Sequence, residues 1–300
     1  MAGALLLSSL PAALSALLLV PCRRSAVPMV ARAATAAFSA SAADGRRGRY
    51  VDSIDEAAAS LRAGGLVAFP TETVYGLGAH AMDADAVARI FTVKGRPRSD
   101  PLIVHVSTPE AAEELVRLDP AGLALMRRLM VAFSPGPLTI VAPACPELPS
   151  IITAGTGFVG VRIPKHARAM ALLRAAAIPV AAPSANRFGH VSPTRPEHVM
   201  DDLGAHDILV LNPETGGSGS GGDGSSGGDG SSGAGGGGAG GGGGGGGGGA
   251  QSSPTTCDVG IESTVVKVDA ANRKLLLLRR GGIPEAELER FLRADGGGGE

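Results

Sequence analysis

The chain has 300 residues, a formal net charge of −1, 46 Gly, two Tyr, no Trp and three Cys. Discounting Arg23, Arg24 and Arg32 of the first 43 residues takes the charge to −4, which argues against a general polyanion binder, and so few aromatics leave little platform for stacking nucleic-acid bases. Cys22, Cys145 and Cys257 are scattered and odd in number, and the six His lack metal-ligand spacing, so neither a disulfide framework nor a protein metal site is expected.

Met1 to Ala43 holds no Asp or Glu and is mostly Ala, Ser, Leu and Val around its Arg residues, the composition of an organelle transit peptide. Its Leu-rich run from Ala4 to Val20 also suits a secretory signal or an anchor, but it carries Pro11 and three Ser and is short for a span of ~20 apolar residues. The expectation is a disordered transit peptide over residues 1–43, import into a plastid or mitochondrion with the cytoplasm as a further location, and no membrane contact.

Ser53-Ile54-Asp55-Glu56 is a capping box and Gly64-Gly65 a stop signal, which predicts a short helix between them. Leu66 to Phe69 reads as a buried strand. Asp83 caps a helix through Val87, Ile90 and Phe91 to Lys94, and Pro101 to Val106 is a second strand. Thr108-Pro109-Glu110 opens another helix with Pro at its permitted first position, and Pro120 to Phe133 is helical again. Leu138 to Val141, Val159 to Ile163 and Val180 to Ala182 read as strands, with a helix over His166 to Ala177. Arg195 to Leu203 reads as helix, Ile208 to Leu211 as extended, and Ser263 to Val268 with Leu275 to Leu278 as a closing strand pair. Between these last elements lies a Gly-rich insertion, residues 213–254, with few side chains to bury and the highest backbone entropy to lose; it is expected to be disordered. Alternating helices and strands predict one α/β domain over residues 50–295, with helices packed on a sheet and only a short tail after Ile283.

Polar residues that ask for a ligand sit at recurring places. Lys94 ends a helix, Gly95 breaks it and Pro97 keeps the next stretch extended, so Lys94 and Arg96 form a restricted cationic loop leading to Asp100. A helix dipole accounts for Lys94 alone, whereas a phosphate clamp accounts for both cations. Thr71, Thr73 and Tyr75 follow a strand's C-terminal end, where open α/β sheets bind ligands, although turn hydroxyls also cap local backbone. His105 ends an apolar strand. Ser184-Ala185-Asn186 follows a strand that ends in Pro183, and Ser192-Pro193-Thr194 adds hydroxyls on a rigid turn. Arg162 lies in Val-Gly-Val-Arg-Ile-Pro and Arg279 follows four Leu. Each needs an anion to offset desolvation, either an acid of the chain or a substrate carboxylate or phosphate.

PTETVYGLG, the Lys94-x-Arg96 loop, PLIVHV, SPGPLTIV, VGVRIPKH, APSAN, SPT, GIESTVV and LRRGG occur in the order of the YrdC-like L-threonylcarbamoyladenylate synthases, and the chain resembles that family from about Ser53 to Ile283. The resemblance implies a twisted mixed α/β sheet with flanking helices and a deep cationic cavity. It implies condensation of L-threonine, bicarbonate and ATP, with Mg2+ bridging phosphates, into threonylcarbamoyl-AMP and pyrophosphate. The product would pass to a separate tRNA threonylcarbamoyltransferase for the N6-threonylcarbamoyladenosine modification of tRNA. By the same resemblance Thr73, His105, Arg162, Ser184 and Ser263 contact L-threonine. Lys94, Arg96, Asp100, Asn186, Thr194 and Arg279 contact ATP, with Lys94 and Arg96 the catalytic cations. Ser134, Lys267 and Arg280 depart from the family pattern, which commonly has Trp, Asp and Pro there. Two other readings differ in class: an RNA-binding module, or a carbamoyl-adenylate-forming maturation protein, whose acylphosphatase and zinc-finger modules this chain lacks.

Overall fold

A computed structural model describes residues 4–5, 47–213, 257, 260–269 and 274–296. Most of the segment read as a transit peptide, apart from Ala4–Leu5, and the Gly-rich insertion beyond residue 213 lie outside the described residues. Strand β1 is Ala4–Leu5, β2 Arg49–Val51, β3 Val67–Phe69 and β4 Gly76–His80, with helix α1 (Ile54–Arg62) between β2 and β3. Helix α2 (Ala84–Lys94) leads to β5 (Ile103–His105), α3 (Pro109–Glu114), α4 (Pro120–Phe133) and β6 (Leu138–Pro143). Next come α5 (Ser150–Thr153), β7 (Phe158–Arg162), α6 (Ala167–Ala176), β8 (Val180–Ala181), α7 (Pro196–Leu203) and β9 (Leu209–Leu211). Strands β10 (Thr264–Asp269) and β11 (Lys274–Arg279) and helix α8 (Glu285–Gly296) complete the described chain.

The helices begin where their caps stand. Ser53 accepts from the Glu56 amide, Asp83 from the amides of Asp85 and Ala86, Thr108 from Ala111 and Asp119 from Gly122. Each cap satisfies amides that the first helical turn leaves without partners, and its loss typically costs about 1 kcal/mol. Helix α2 ends on Gly95 at φ 63°, a left-handed conformation that favours glycine and turns the chain toward Arg96. Leu61 of α1 is fully buried, which stabilises by about 1.5–3 kcal/mol, and α1 packs against α6.

The strands form one mixed sheet in the order β1-β11-β10-β6-β7-β5-β8-β4-β3-β9-β2. β10 runs parallel to β6 and β5 parallel to β7, while β6–β7, β5–β8, β8–β4 and β4–β3 are antiparallel. The expected α/β class and twisted mixed sheet are those of the structure. Elements β1, β2, β4, α5 and α8 were not expected from sequence; β1 falls in the segment expected to be disordered and pairs with β11, and α8 occupies what reads as a short tail. No helix among the described residues is long and apolar enough to cross a membrane.

Candidate functional site

The middle of the sheet carries chemistry because its strands alternate. Along β10 the residues alternate buried and half-buried, so Val266 and Val268 sit in the core while Val265 and Lys267 open onto a cavity. The same period of two brings Thr139 and Val141 of β6, Gly160 and Arg162 of β7, and Ile103 and His105 of β5 to that cavity. Its volume is about 470 Å³. It lies over the face of the sheet rather than at one row of strand ends, because the central strands run in both directions and their carboxyl ends share no edge.

Register divides the floor into two rows. In one, Val265 faces Thr139 and His105 faces Arg162. In the next, Lys267 faces Val141, Val141 faces Gly160 and Gly160 faces Ile103. Two residues of strand separate the rows, roughly 7 Å. The first row is polar and densely bonded. The Arg162 side chain is 5 % exposed; its Nη2 donates to Glu72 Oε1 at 2.8 Å and to Thr73 Oγ1 at 3.0 Å. Glu72 Oε2 accepts from the Lys165 amide at 3.0 Å, and Thr71 Oγ1 lies 2.9 Å from Thr73 Oγ1. Across the row, Thr139 Oγ1 and Ser263 Oγ are 2.8 Å apart, and Arg279 Nη2 donates to Ser263 Oγ at 3.1 Å while its Nη1 pairs with Glu262. His105 packs edge-on to Phe69, with ring centroids 5.9 Å apart. Burial, and then the charge of Arg162, push the His105 imidazole down to about 3, so it is neutral at physiological pH.

Of the expected residues, Thr73, His105, Arg162, Ser184, Ser263, Arg96, Asp100 and Arg279 line this one cavity. Lys94, Asn186 and Thr194 do not. Lys94 is buried behind the wall, its Nζ donating to Ser184 O at 2.5 Å and to Asn186 O, while its own carbonyl accepts from the Phe188 amide at 2.8 Å. It therefore holds the Ser184–Asn186 turn in place. Burial, with the charge of Arg96 second, lowers its ammonium to about 8. Asn186 Nδ2 donates to Arg187 O at 2.8 Å and His190 O at 2.7 Å. Thr194 is half-buried, and its carbonyl accepts from the Cys257 amide at 3.5 Å. Arg96 reaches the cavity from the loop after α2, pairing with Asp100 at 2.8 Å and donating to Pro101 O at 3.1 Å.

Three residues of the site were not singled out from sequence. Glu72 stands between Thr71 and Thr73; the need of Arg162 for an anion was the signal, but nothing local told which acid would meet it. Thr139 was visible as the polar residue in an otherwise apolar strand. Phe158 closes the far end of the floor, where Lys267 Nζ lies 3.5 Å from its ring centroid.

Among the described residues, three buried side-chain polar atoms have no hydrogen-bond partner: His105 Nδ1, Arg162 Nε and Asn186 Oδ1. The first two lie in the polar row of this cavity, and the third is on the turn behind its wall. Buried polar atoms are satisfied in the great majority of native positions, so two orphans in adjacent strands of one cavity mark a place suited to a ligand. The described residues contain no group of three or more His, Cys, Asp or Glu that could hold a metal ion.

A family model for Sua5/YciO/YrdC, described as telomere recombination, matches residues 59–221. The chain is 37% identical to threonylcarbamoyl-AMP synthase of Pyrococcus abyssi over 79% of its own length and 56% of the relative. It is 48% identical to threonylcarbamoyl-AMP synthase of Bacillus subtilis over 50% of its own length and 43% of that relative. The crystal structure of P. abyssi Sua5 complexed with L-threonine superposes with a TM-score of 0.62 at 34% identity, covering 81% of this chain and 60% of the other. The chain spans about half the length of the curated relatives it matches.

Proposed function

The chain belongs to the Sua5/YciO/YrdC family, and from that premise we propose that it makes L-threonylcarbamoyladenylate and pyrophosphate from L-threonine, bicarbonate and ATP. The observation that carries this reading is the set of unpartnered polar atoms on His105, Arg162 and Asn186, two of them in the polar row of one cavity. Arg162 Nε offers a charged donor suited to an amino-acid carboxylate, and the hydroxyls of Thr73 and Ser263 with the turn at Ser184 surround it. A P. abyssi relative of the same fold was solved with L-threonine, which supports L-threonine as the amino-acid substrate. Arg96 and Arg279 flank the nucleotide end. Lys94 and Asn186 act on the nucleotide through the turn that they fix, and Thr194 lies on the segment after it.

In the proposed reaction the threonine amine forms an N–C bond with the carbon of bicarbonate, releasing water and leaving a carbamate. A carbamate oxygen then bonds to the α-phosphorus of ATP, supplied as its magnesium complex. The bond from that phosphorus to the bridging oxygen breaks, and the electron pair leaves on pyrophosphate. No covalent enzyme intermediate is required. Catalysis is positioning and neutralisation of charge, and the cavity keeps water from the labile product. The product is an activated acyl phosphate, fit for a transferase that modifies tRNA adenosine, and the modification of tRNA is the purpose we assign to it.

The test is release of pyrophosphate by the purified chain with magnesium, ATP and bicarbonate, with and without L-threonine. Release that depends on L-threonine is expected. Release that ignores threonine, or none with all substrates present, contradicts the proposal.

A further inference from the structure

We propose that Lys267 is a further nucleotide-binding residue, its ammonium taking phosphate oxygens of the nucleotide at the floor of the cavity. This rests on the synthase reading for the identity of the nucleotide, but the observation behind it is independent. Four cations line the cavity, and three are already matched by acids of the chain: Arg96 by Asp100 at 2.8 Å, Arg162 by Glu72 at 2.8 Å and Arg279 by Glu262. Lys267 is the fourth. Among the described residues no carboxylate pairs with it, and its contact is the face of Phe158.

Geometry supplies the rest. Lys267 heads the second row of the floor, beside Val141, Gly160 and Ile103, with the polar row that suits an amino acid one step away. Its side chain crosses over β6 to reach Phe158 on β7, which carries the ammonium out over the floor rather than into solvent. Gly160 keeps that floor low. A β-carbon there would stand 3.0 Å from Thr139 Cγ2 and 3.5 Å from Ile103 Cγ1, narrowing the space below the ammonium. Phe158 fixes the amine by a cation–π contact that uses none of its N–H donors for hydrogen bonds to oxygen. Because the three arginines are each offset by an acid, Lys267 carries the uncompensated charge that an incoming polyanion meets.

The experiment measures binding of ATP and of adenosine to the full chain, with Lys267→Met and Lys267→Arg beside the wild type. Loss of one charge-assisted contact predicts about tenfold weaker ATP binding in Lys267→Met, adenosine binding unchanged, and affinity restored in Lys267→Arg. Unchanged ATP affinity in Lys267→Met overturns the proposal. So does an equal loss for adenosine, which would place the contact on the nucleoside, or a failure of Lys267→Arg to recover, which would make packing on Phe158 the cause. Wild-type chain that binds ATP in this pattern but releases no pyrophosphate with L-threonine counts against the synthase reading alone.

Discussion

Replacing Arg162 by Ala is expected to abolish threonine-dependent turnover and to destabilise the fold by about 3–5 kcal/mol, the cost of leaving one partner of a buried ion pair unpaired. The two effects have separate origins. Stability is lost because Glu72, 7 % exposed, keeps only the Lys165 amide as partner once Nη2 of Arg162 is gone. Activity is lost because Nε, which no described residue meets, is the donor assigned to the substrate carboxylate under the proposed function. The double change Arg162→Ala with Glu72→Gln removes the buried charge and should recover much of the stability, read from urea midpoints, while turnover stays absent. If the double variant regains threonine-dependent activity, Arg162 is a structural residue and the carboxylate lies elsewhere.

Arg96→Ala is expected to do the reverse, with a large loss of rate and little loss of stability. Its side chain is 15 % exposed but its partner Asp100 is 42 % exposed, so the pair contributes less than about 1 kcal/mol and Asp100 is readily rehydrated. Removing a fixed cation from beside a transferring phosphoryl group typically costs about 10²- to 10³-fold in kcat. Steady-state kinetics should therefore show kcat falling on that scale, KM for L-threonine nearly constant, and a melting profile close to wild type. Retained kcat would refute the role of Arg96 at the phosphates.

Much of the fold is legible in the sequence because its punctuation is strong. Ser53, Asp83, Thr108 and Asp119 each cap the helix that follows, and Gly95 ends α2 where its left-handed φ is needed. Strand β4 is not legible, because Gly76-Leu77-Gly78-Ala79-His80 has no β-branched residue. It is a strand because Phe69 and Val180 close over Gly78, where a β-carbon would come within 2.9 Å and 2.8 Å of them. Tertiary packing there overrides local propensity. The site divides in the same way. Arg162 and Arg279 stand out because a charge inside an apolar strand needs an anion. That Glu72, in the turn between β3 and β4, and Glu262, just before β10, would meet them is information carried by the tertiary packing. Lys94 reads as a substrate cation from its place beside Arg96 in one restricted loop. The fold instead puts it behind the Ser184–Asn186 turn, where main-chain carbonyls take two of its three donors.

The central claim is that one cavity on the face of this sheet receives an amino acid and a nucleotide side by side. The direct measurement is a crystal structure of the chain with L-threonine and an ATP analogue that resists cleavage between the α- and β-phosphates. The account predicts the threonine carboxylate on Arg162, beside Thr73 and His105, and the phosphates reached by Arg96, Arg279 and Lys267. Threonine bound away from Arg162, or a nucleotide seated outside this cavity, would contradict it.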